Sequence, residues 1–226
     1  VQRVDHSIQH IAESRLFFAG PSTLNWGLIS DRWPTANRAI FEPEVFESRK
    51  SYSNWLLTPA LYDYFLDFKF VMICQTDALL VKPIDASALV FDYVGAPWIP
   101  PYQVGWDLRQ QTVSASPFAI FRRTIRVGNG GLSLRRTSSF RRFARKISTI
   151  KMGYANEDGV ISYLGPRYGL TIADVATAHA TFMETASANW RPGNPLPNVS
   201  GFHALEVYNP ELERQILSGA FEPDHD

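Results

Sequence analysis

The sequence predicts an α/β layered sheet. Strand-like apolar runs alternate with helical patterns along the chain. Residues Phe70 to Cys74 are apolar without alternation, as expected of a central strand covered on both faces. No linker divides the 226 residues, so a single domain over 1–226 is expected.

Taken in order, Val4, Ile8 and Ile11 fall at helical spacing and predict a short helix over 4–15. LFFAGP (16–21) predicts a buried strand ended by Gly and Pro. Residues 22–38 mix turn formers with two tryptophans and read as irregular, before a second strand over 38–43. From Ser48 to Asp67 one face carries Leu56, Leu57, Ala60, Leu61 and Tyr64. Pro59 interrupts that pattern, giving two helices or one with proline in its first turn. FKFVMICQTDALLV (68–81) is the strongest strand signal, and FDYVGAPW (91–98) is another. Residues 99–120, rich in Pro, Gln and Ser, read as loop. RVGNGGLSLRR (126–136) reads as strand or turn, and 138–147 as a basic helix. Asn156 followed by two acids predicts a capped helix over 156–168. A late strand over 170–175 and a Pro/Asn/Gly loop over 188–200 lead to GFHALEVYN (201–209).

Composition narrows the function. Lys+Arg and Asp+Glu both number 22, so a global polyanion binder is not expected, and no nucleic-acid recognition module is present. Cys74 is the only cysteine; it excludes an intrachain disulfide and a multi-thiolate zinc site, and favours a reducing compartment. No apolar run reaches a bilayer-spanning length and no signal peptide is visible, so a cytoplasmic location is expected, with peripheral membrane contact as an option. G-x-S-x-G, H-E-x-x-H and C-x-x-C are all absent.

Five constellations carry chemistry. Gln75-Thr76-Asp77 follows a strand, where ligands collect in open α/β sheets; a carboxylate there suits Mg²⁺ or Mn²⁺, and a turn role is the plainer reading. In Gly128-Asn129-Gly130-Gly131 the glycines permit positive φ and close backbone approach, and Asn129 suits a sugar hydroxyl; a tight turn explains the run equally well. Glu157 and Asp158 serve a helix dipole or act as a general base. His203 completes a metal site with a distant carboxylate, or is structural. Nine basic residues and no acid occupy 121–150: Arg122, Arg123, Arg126, Arg135, Arg136, Arg141, Arg142, Arg145 and Lys146. They form a solvated face or an anion-binding surface.

In combination, YSNWLLTPALYDYF (52–65), VMICQTDALLV (71–81), DYVGAPW (92–98), VGNGGLSLRR (127–136), NED (156–158) and GFHAL (201–205) resemble a glycosyltransferase-like family, long catalogued as a domain of unknown function. The resemblance spans about residues 45–205. It implies the GT-A fold, a Rossmann-like mixed sheet flanked by helices, whose opening strand this sequence does not show. It implies an enzyme of polysaccharide biosynthesis that moves sugar from a nucleotide-sugar donor to a glycan or glycolipid hydroxyl, with inversion and a divalent cation (Mn²⁺ or Mg²⁺). Asp77 and His203 would hold the metal, although Gln75 replaces the first acid of the family's Asp-x-Asp. Asp158 would be the base and Glu157 its partner on the acceptor hydroxyl. Gln75, Thr76, Asn129, Gly130 and Gly131 would line the substrates, Trp98 would stack on sugar, and Arg135 or Arg136 would offset diphosphate charge. The basic stretch over 122–146 would touch an anionic membrane. A catalytically inactive scaffold on the same sheet, or a nucleotidyltransferase, are the alternatives.

Overall fold

A computed structural model describes residues 1–11, 16–150, 153 and 156–219. The chain is a mixed α/β domain built on several small sheets. Helix α1 (Gln2–Ile8) precedes β1 (Phe17–Pro21), α2 (Trp26–Arg32) and β2 (Asn37–Phe41); β1 and β2 pair in parallel. The stretch read as irregular thus contains α2, which buries only Trp26 and so gives little periodic signal. Part of the expected 4–15 helix, residues 12–15, lies outside the described residues.

Helices α3 (Arg49–Trp55) and α4 (Pro59–Tyr64) divide at the proline, as expected. Ser48 and Ser51 form a reciprocal capping box on α3, and Pro59 occupies the first turn of α4, where its missing N–H costs nothing. The strong apolar run splits into β3 (Phe70–Cys74) and β4 (Ala78–Leu80), which join different sheets. After β5 (Tyr93–Gly95) the segment read as loop is strand: β6 (Pro97–Asp107), β7 (Thr112–Ser114) and β8 (Ala119–Val127) form an antiparallel sheet in the order β7-β6-β8. Of its prolines, Pro97 opens β6, where a proline is tolerated, and Pro100 and Pro101 are exposed and fall where the β6–β8 register slips.

Strand β9 (Leu132–Arg136) leads into α5 (Thr137–Ile147), α6 (Glu157–Leu164) and α7 (Val175–Thr181). Asn156 takes the cap position of α6, but its side chain makes no cap hydrogen bond there. The late strand over 170–175 is reduced to one parallel bridge, Ile172 to Tyr93. Short β10 (Phe182–Met183) and β11 (Gly201–His203) join β4, and α8 (Leu205–Tyr208) and α9 (Pro210–Leu217) follow.

The sheet that positions the site runs β3-β9-β5, with β9 antiparallel to both neighbours. The central strand is therefore β9, not β3. Four of its five residues are buried, whereas β3 buries only Ile73. Side chains alternate across β9. Leu132 and Leu134 enter an apolar layer with Val94, Ala178 and Phe182. On the opposite face Ser133 and Arg135 meet each other, beneath the layer of Leu61, Tyr62, Phe140, Phe143 and Val160 contributed by α4, α5 and α6.

Candidate active site

The loop Gly128–Gly131 enters β9 and joins two polar clusters. Its glycines are needed for space. A Cβ on Gly130 would lie 1.7 Å from Glu157 Oε1, one on Gly131 would lie 2.1 Å from His203 Nε2 and 2.7 Å from Gln75 Oε1, and one on Gly128 would enter the Trp98 ring at 2.0 Å. The positive φ falls on Asn129 (134°) rather than on a glycine of this loop. Asn129 Oδ1 accepts from the Gly131 N–H at 3.0 Å, which ties the turn to itself. Because Gly130 and Gly131 are consecutive, with Cα atoms about 3.8 Å apart, the two clusters are immediate neighbours.

In the first cluster, His203 at the end of β11 lies between two carboxylates. Its Nδ1 is 3.0 Å from Glu184 Oε1 and 3.0 Å from Asn129 Nδ2. A carboxylate only accepts and an amide nitrogen only donates, so a proton on Nδ1 belongs to Glu184, and the Asn129 contact is then not a hydrogen bond. His203 Nε2 is buried, lies 3.3 Å from Asp77 Oδ1, and satisfies hydrogen-bond geometry with no described residue. Burial opposes charge on the ring, but Asp77 and Glu184 outweigh it and raise its pKa to about 9. Reciprocally, His203 at 3.3 Å lowers the Asp77 pKa by more than burial raises it.

The chemistry of this cluster fits a divalent cation. With Nδ1–H fixed on Glu184, loss of the Nε2 proton would leave a lone pair beside the Asp77 carboxylate, the arrangement by which an outer carboxylate orients a ligating imidazole. Asp77 and His203 would supply two ligands to such a cation. Among the described residues, no set of three or more His, Cys, Asp or Glu side chains is disposed around one metal position. The remaining positions would fall to water or substrate oxygen, as Mg²⁺ commonly accepts.

In the second cluster, Arg135 is completely buried. Its Nε donates to Ser133 Oγ (3.1 Å), Nη1 to Tyr62 Oη (3.1 Å) and Nη2 to Gly130 O (3.5 Å). Glu157 Oε1 is 3.5 Å from Nη2. Burial works against the guanidinium charge; Tyr62, Tyr93 and Glu157 together overcome that and raise its pKa. Asp158, next along α6, accepts from the Gly159 N–H at 2.7 Å and has no cationic partner in an ion pair among the described residues. Burial, reinforced by the neighbouring Glu157 charge, pushes its pKa up to about 6.

The sequence-predicted residues divide by strand alternation. Asp77, His203, Gln75, Asn129, Gly130, Gly131, Arg135, Glu157 and Trp98 gather around the loop through the contacts above, and Asp158 adjoins Glu157. Gln75 is hydrogen-bonded to Tyr52 and its N–H donates to Gly131 O at 2.8 Å. Thr76 is exposed, and its carbonyl accepts from Arg3 at 3.3 Å. Arg136 faces the other side of β9. It donates to Asp92 Oδ1 (3.0 Å) and Leu89 O (2.7 Å) and lies 4.5 Å over the Phe70 ring, away from the cluster. Three members were not visible in the sequence: Glu184, Tyr62 and Tyr93. Tyr93 Oη is buried without a hydrogen-bond partner among the described residues, close to where a Cβ on Gly95 would stand. Tyr62 and Tyr93 fall within the stretches 52–65 and 92–98, but nothing in those stretches marks them as site residues, and only the fold brings them and Glu184 together.

A cleft of about 1020 Å³ opens along the β3 edge. Its walls include Phe17, Trp55, Phe68 and Met72, and it ends at Cys74, Gln75, Thr76 and Asp77. Burial raises the Cys74 pKa to about 11, so the thiol is neutral at physiological pH.

Fold and site define an α/β protein with a carboxylate–histidine cluster and a buried arginine–carboxylate pair joined by one glycine loop. The chain belongs to DUF5672, a family of proteins of unknown function, whose match covers residues 35–194. No curated protein matches it.

Proposed function

We propose that this protein is a glycosyltransferase that moves a sugar from a nucleotide-sugar donor to a hydroxyl acceptor. One arrangement carries the reading: Glu157 meets Gly130 of the glycine loop, the next residue, Asp158, has its carboxyl pKa raised to about 6, and Gly131 meets His203 of the Asp77–His203 pair. An acid tuned near neutrality removes a hydroxyl proton most effectively, and such base catalysis is worth about 10²–10⁴-fold. The antiparallel β9 between β3 and β5, with Asp77 just past β3, supports a GT-A-like sheet as the frame.

In this mechanism Asp158 takes the proton of the acceptor hydroxyl as its oxygen attacks the anomeric carbon and the nucleoside diphosphate departs. Glu157, fixed by Arg135, orients the acceptor. Asp77 and His203 hold the donor end, and a divalent cation there supplies charge compensation for the diphosphate. Arg135 is committed to Glu157 and Tyr62, so in this reading it positions the acceptor side rather than binding phosphate. Trp98, packed over Gly128, offers an apolar ring face to a sugar.

The test is thermal stability against nucleoside diphosphates and nucleotide sugars, with and without Mn²⁺ or Mg²⁺. A native-state ligand at 100 times its dissociation constant adds about 2.7 kcal/mol. The expected result is a metal-dependent shift with one nucleotide that disappears in Asp77→Ala, followed by sugar transfer that Asp158→Asn abolishes. No shift with any nucleotide would favour a non-catalytic module. Transfer of the nucleotide rather than the sugar would make it a nucleotidyltransferase.

A further inference from the structure

The basic stretch does not act as one surface. Arg135 faces Glu157, Arg136 pairs with Asp92, and Arg141 and Arg145 both reach Asp63. The arginines of β8 and of the β6–β7 turn are different. Arg109, Arg122, Arg123 and Arg126 are exposed, and among the described residues none of them forms an ion pair. From Pro97 to Val127 the only acid is Asp107, which is buried and accepts from the backbone N–H groups of Arg109 and Gln110.

The same sheet exposes large apolar side chains. Phe121 is 71% exposed, Leu108 63%, Phe118 58%, Ile99 51% and Tyr102 50%. Leu108 and Phe118 lie in the turns beyond β6 and before β8, and the Arg109 guanidinium rests 3.9 Å over the Phe118 ring. Phe121 sits in a bulge, where the β6–β8 register shifts between Val104 and Trp106, and its φ is +52°. Left-handed backbone at a non-glycine residue costs roughly 1 kcal/mol or more. That cost is incurred here with the ring in solvent rather than in a core. Helix α6 packs against this sheet, with Tyr163 donating to Phe121 O at 2.8 Å and Ser162 to Val127 O at 2.6 Å. Of the exposed arginines, Arg123 reaches this helix, its guanidinium 5.9 Å from the Tyr163 ring.

We infer that the β6–β7–β8 sheet is a docking surface for an anionic lipid bilayer. Unpaired guanidiniums with no exposed acid on the sheet complement a negative headgroup layer. Phe121, Phe118, Leu108 and Ile99 suit its apolar boundary, the composition of interfacial segments. Aromatic rings alone would equally suit a carbohydrate polymer, but exposed Leu108 and Ile99 gain nothing from one. Trp98, the second residue of β6, meets Tyr102 edge-on at 5.2 Å and packs over Gly128, so docking would set the glycine loop close to the bilayer surface. This inference does not depend on the transferase reading.

The experiment is co-sedimentation with phosphatidylcholine vesicles containing 30% phosphatidylglycerol, against phosphatidylcholine alone, at 0.1 M and 0.5 M NaCl. Binding is expected only to the anionic vesicles, weakening with salt. Arg122→Gln/Arg123→Gln/Arg126→Gln should weaken it by roughly fivefold per arginine. Phe118→Ser/Phe121→Ser should weaken it at both salt concentrations, since that contribution is not screened. Circular dichroism and the melting temperature of each variant establish that it is folded. Equal sedimentation with both vesicle types, or folded variants that bind as the parent does, would overturn the inference. So would binding to a soluble anionic polysaccharide with no vesicle binding, which would make the surface a polymer site.

Discussion

At one side of the glycine loop Asp77 and Glu184 flank His203; at the other Glu157 faces Arg135. Both clusters set a cation against carboxylate, and in both the cation is buried or nearly so. They differ in what that cation can do. His203 titrates, with a pKa of about 9, and loss of its Nε2 proton leaves a lone pair beside Asp77. Arg135 never releases its proton, and four polar groups are arranged around it. The first cluster can therefore lose its charge as pH rises. The second is permanent, and it fixes the charge environment in which Asp158 titrates. A titratable cation thus stands next to a permanent one within the span of Gly130 and Gly131; under the proposed transferase function this would separate donor binding from acid–base chemistry.

The comparison breaks most visibly at the fixed cation. Arg135→Ala would leave Glu157 buried without its partner and Tyr62 and Ser133 without theirs. A loss of about 3–5 kcal/mol is expected in denaturant unfolding. An unchanged midpoint would mean that Glu157 is not held by Arg135.

The titratable side is probed by pH. His203 has a folded pKa raised above its unfolded value of 6.5, so its contribution is fully present below pH 6.5 and is lost as pH rises through about 9. The total is on the order of 3 kcal/mol. Melting temperatures measured from pH 6 to 10 should fall across this window in the parent and stay level in His203→Gln.

Next come the two glycines that hold the clusters together. Gly130→Ala must displace Glu157, and Gly131→Ala must displace His203 and Gln75. Each is expected to cost about 1–3 kcal/mol. They should separate by ligand: Gly131→Ala should abolish metal-dependent stabilisation, whereas Gly130→Ala should leave it measurable.

The smallest effect concerns Asp158. Its folded pKa is raised from 3.8 to about 6, so it favours folding below pH 3.8 and that contribution is lost as pH rises through about 6. Asp158→Asn should accordingly stabilise the protein above pH 6, by about 1 kcal/mol once its partial exposure is discounted. A variant more stable and yet inactive would show that the raised carboxyl is kept for chemistry. A destabilised one would make it structural.

Much of the candidate site was legible because its residues fall in short motifs next to element ends. Asp77 follows an apolar run, Glu157 and Asp158 open a helix, and His203 ends a strand. The glycine run was legible as a place of close approach, although the positive φ belongs to Asn129. Glu184, Tyr62 and Tyr93 were not legible as site residues, because a carboxylate or phenol in an ordinary helix, strand or loop carries no mark of its eventual neighbour. The loop predicted over 99–120 failed because its composition is that of an exposed sheet, which has little apolar alternation to read.

The sequence by itself determined the alternation of strands and helices, the division of the 48–67 stretch at Pro59, and the residue types of the chemistry. These follow from local preferences and from periodicity along a few turns of chain. The tertiary structure alone decided that β9 rather than β3 is central, since burial depends on what packs above and below. It also decided that Arg135 enters the site while Arg136 leaves it. Two adjacent arginines are indistinguishable as sequence; the pleat of a strand turns them to opposite faces, and only the layers on either side give those faces different roles.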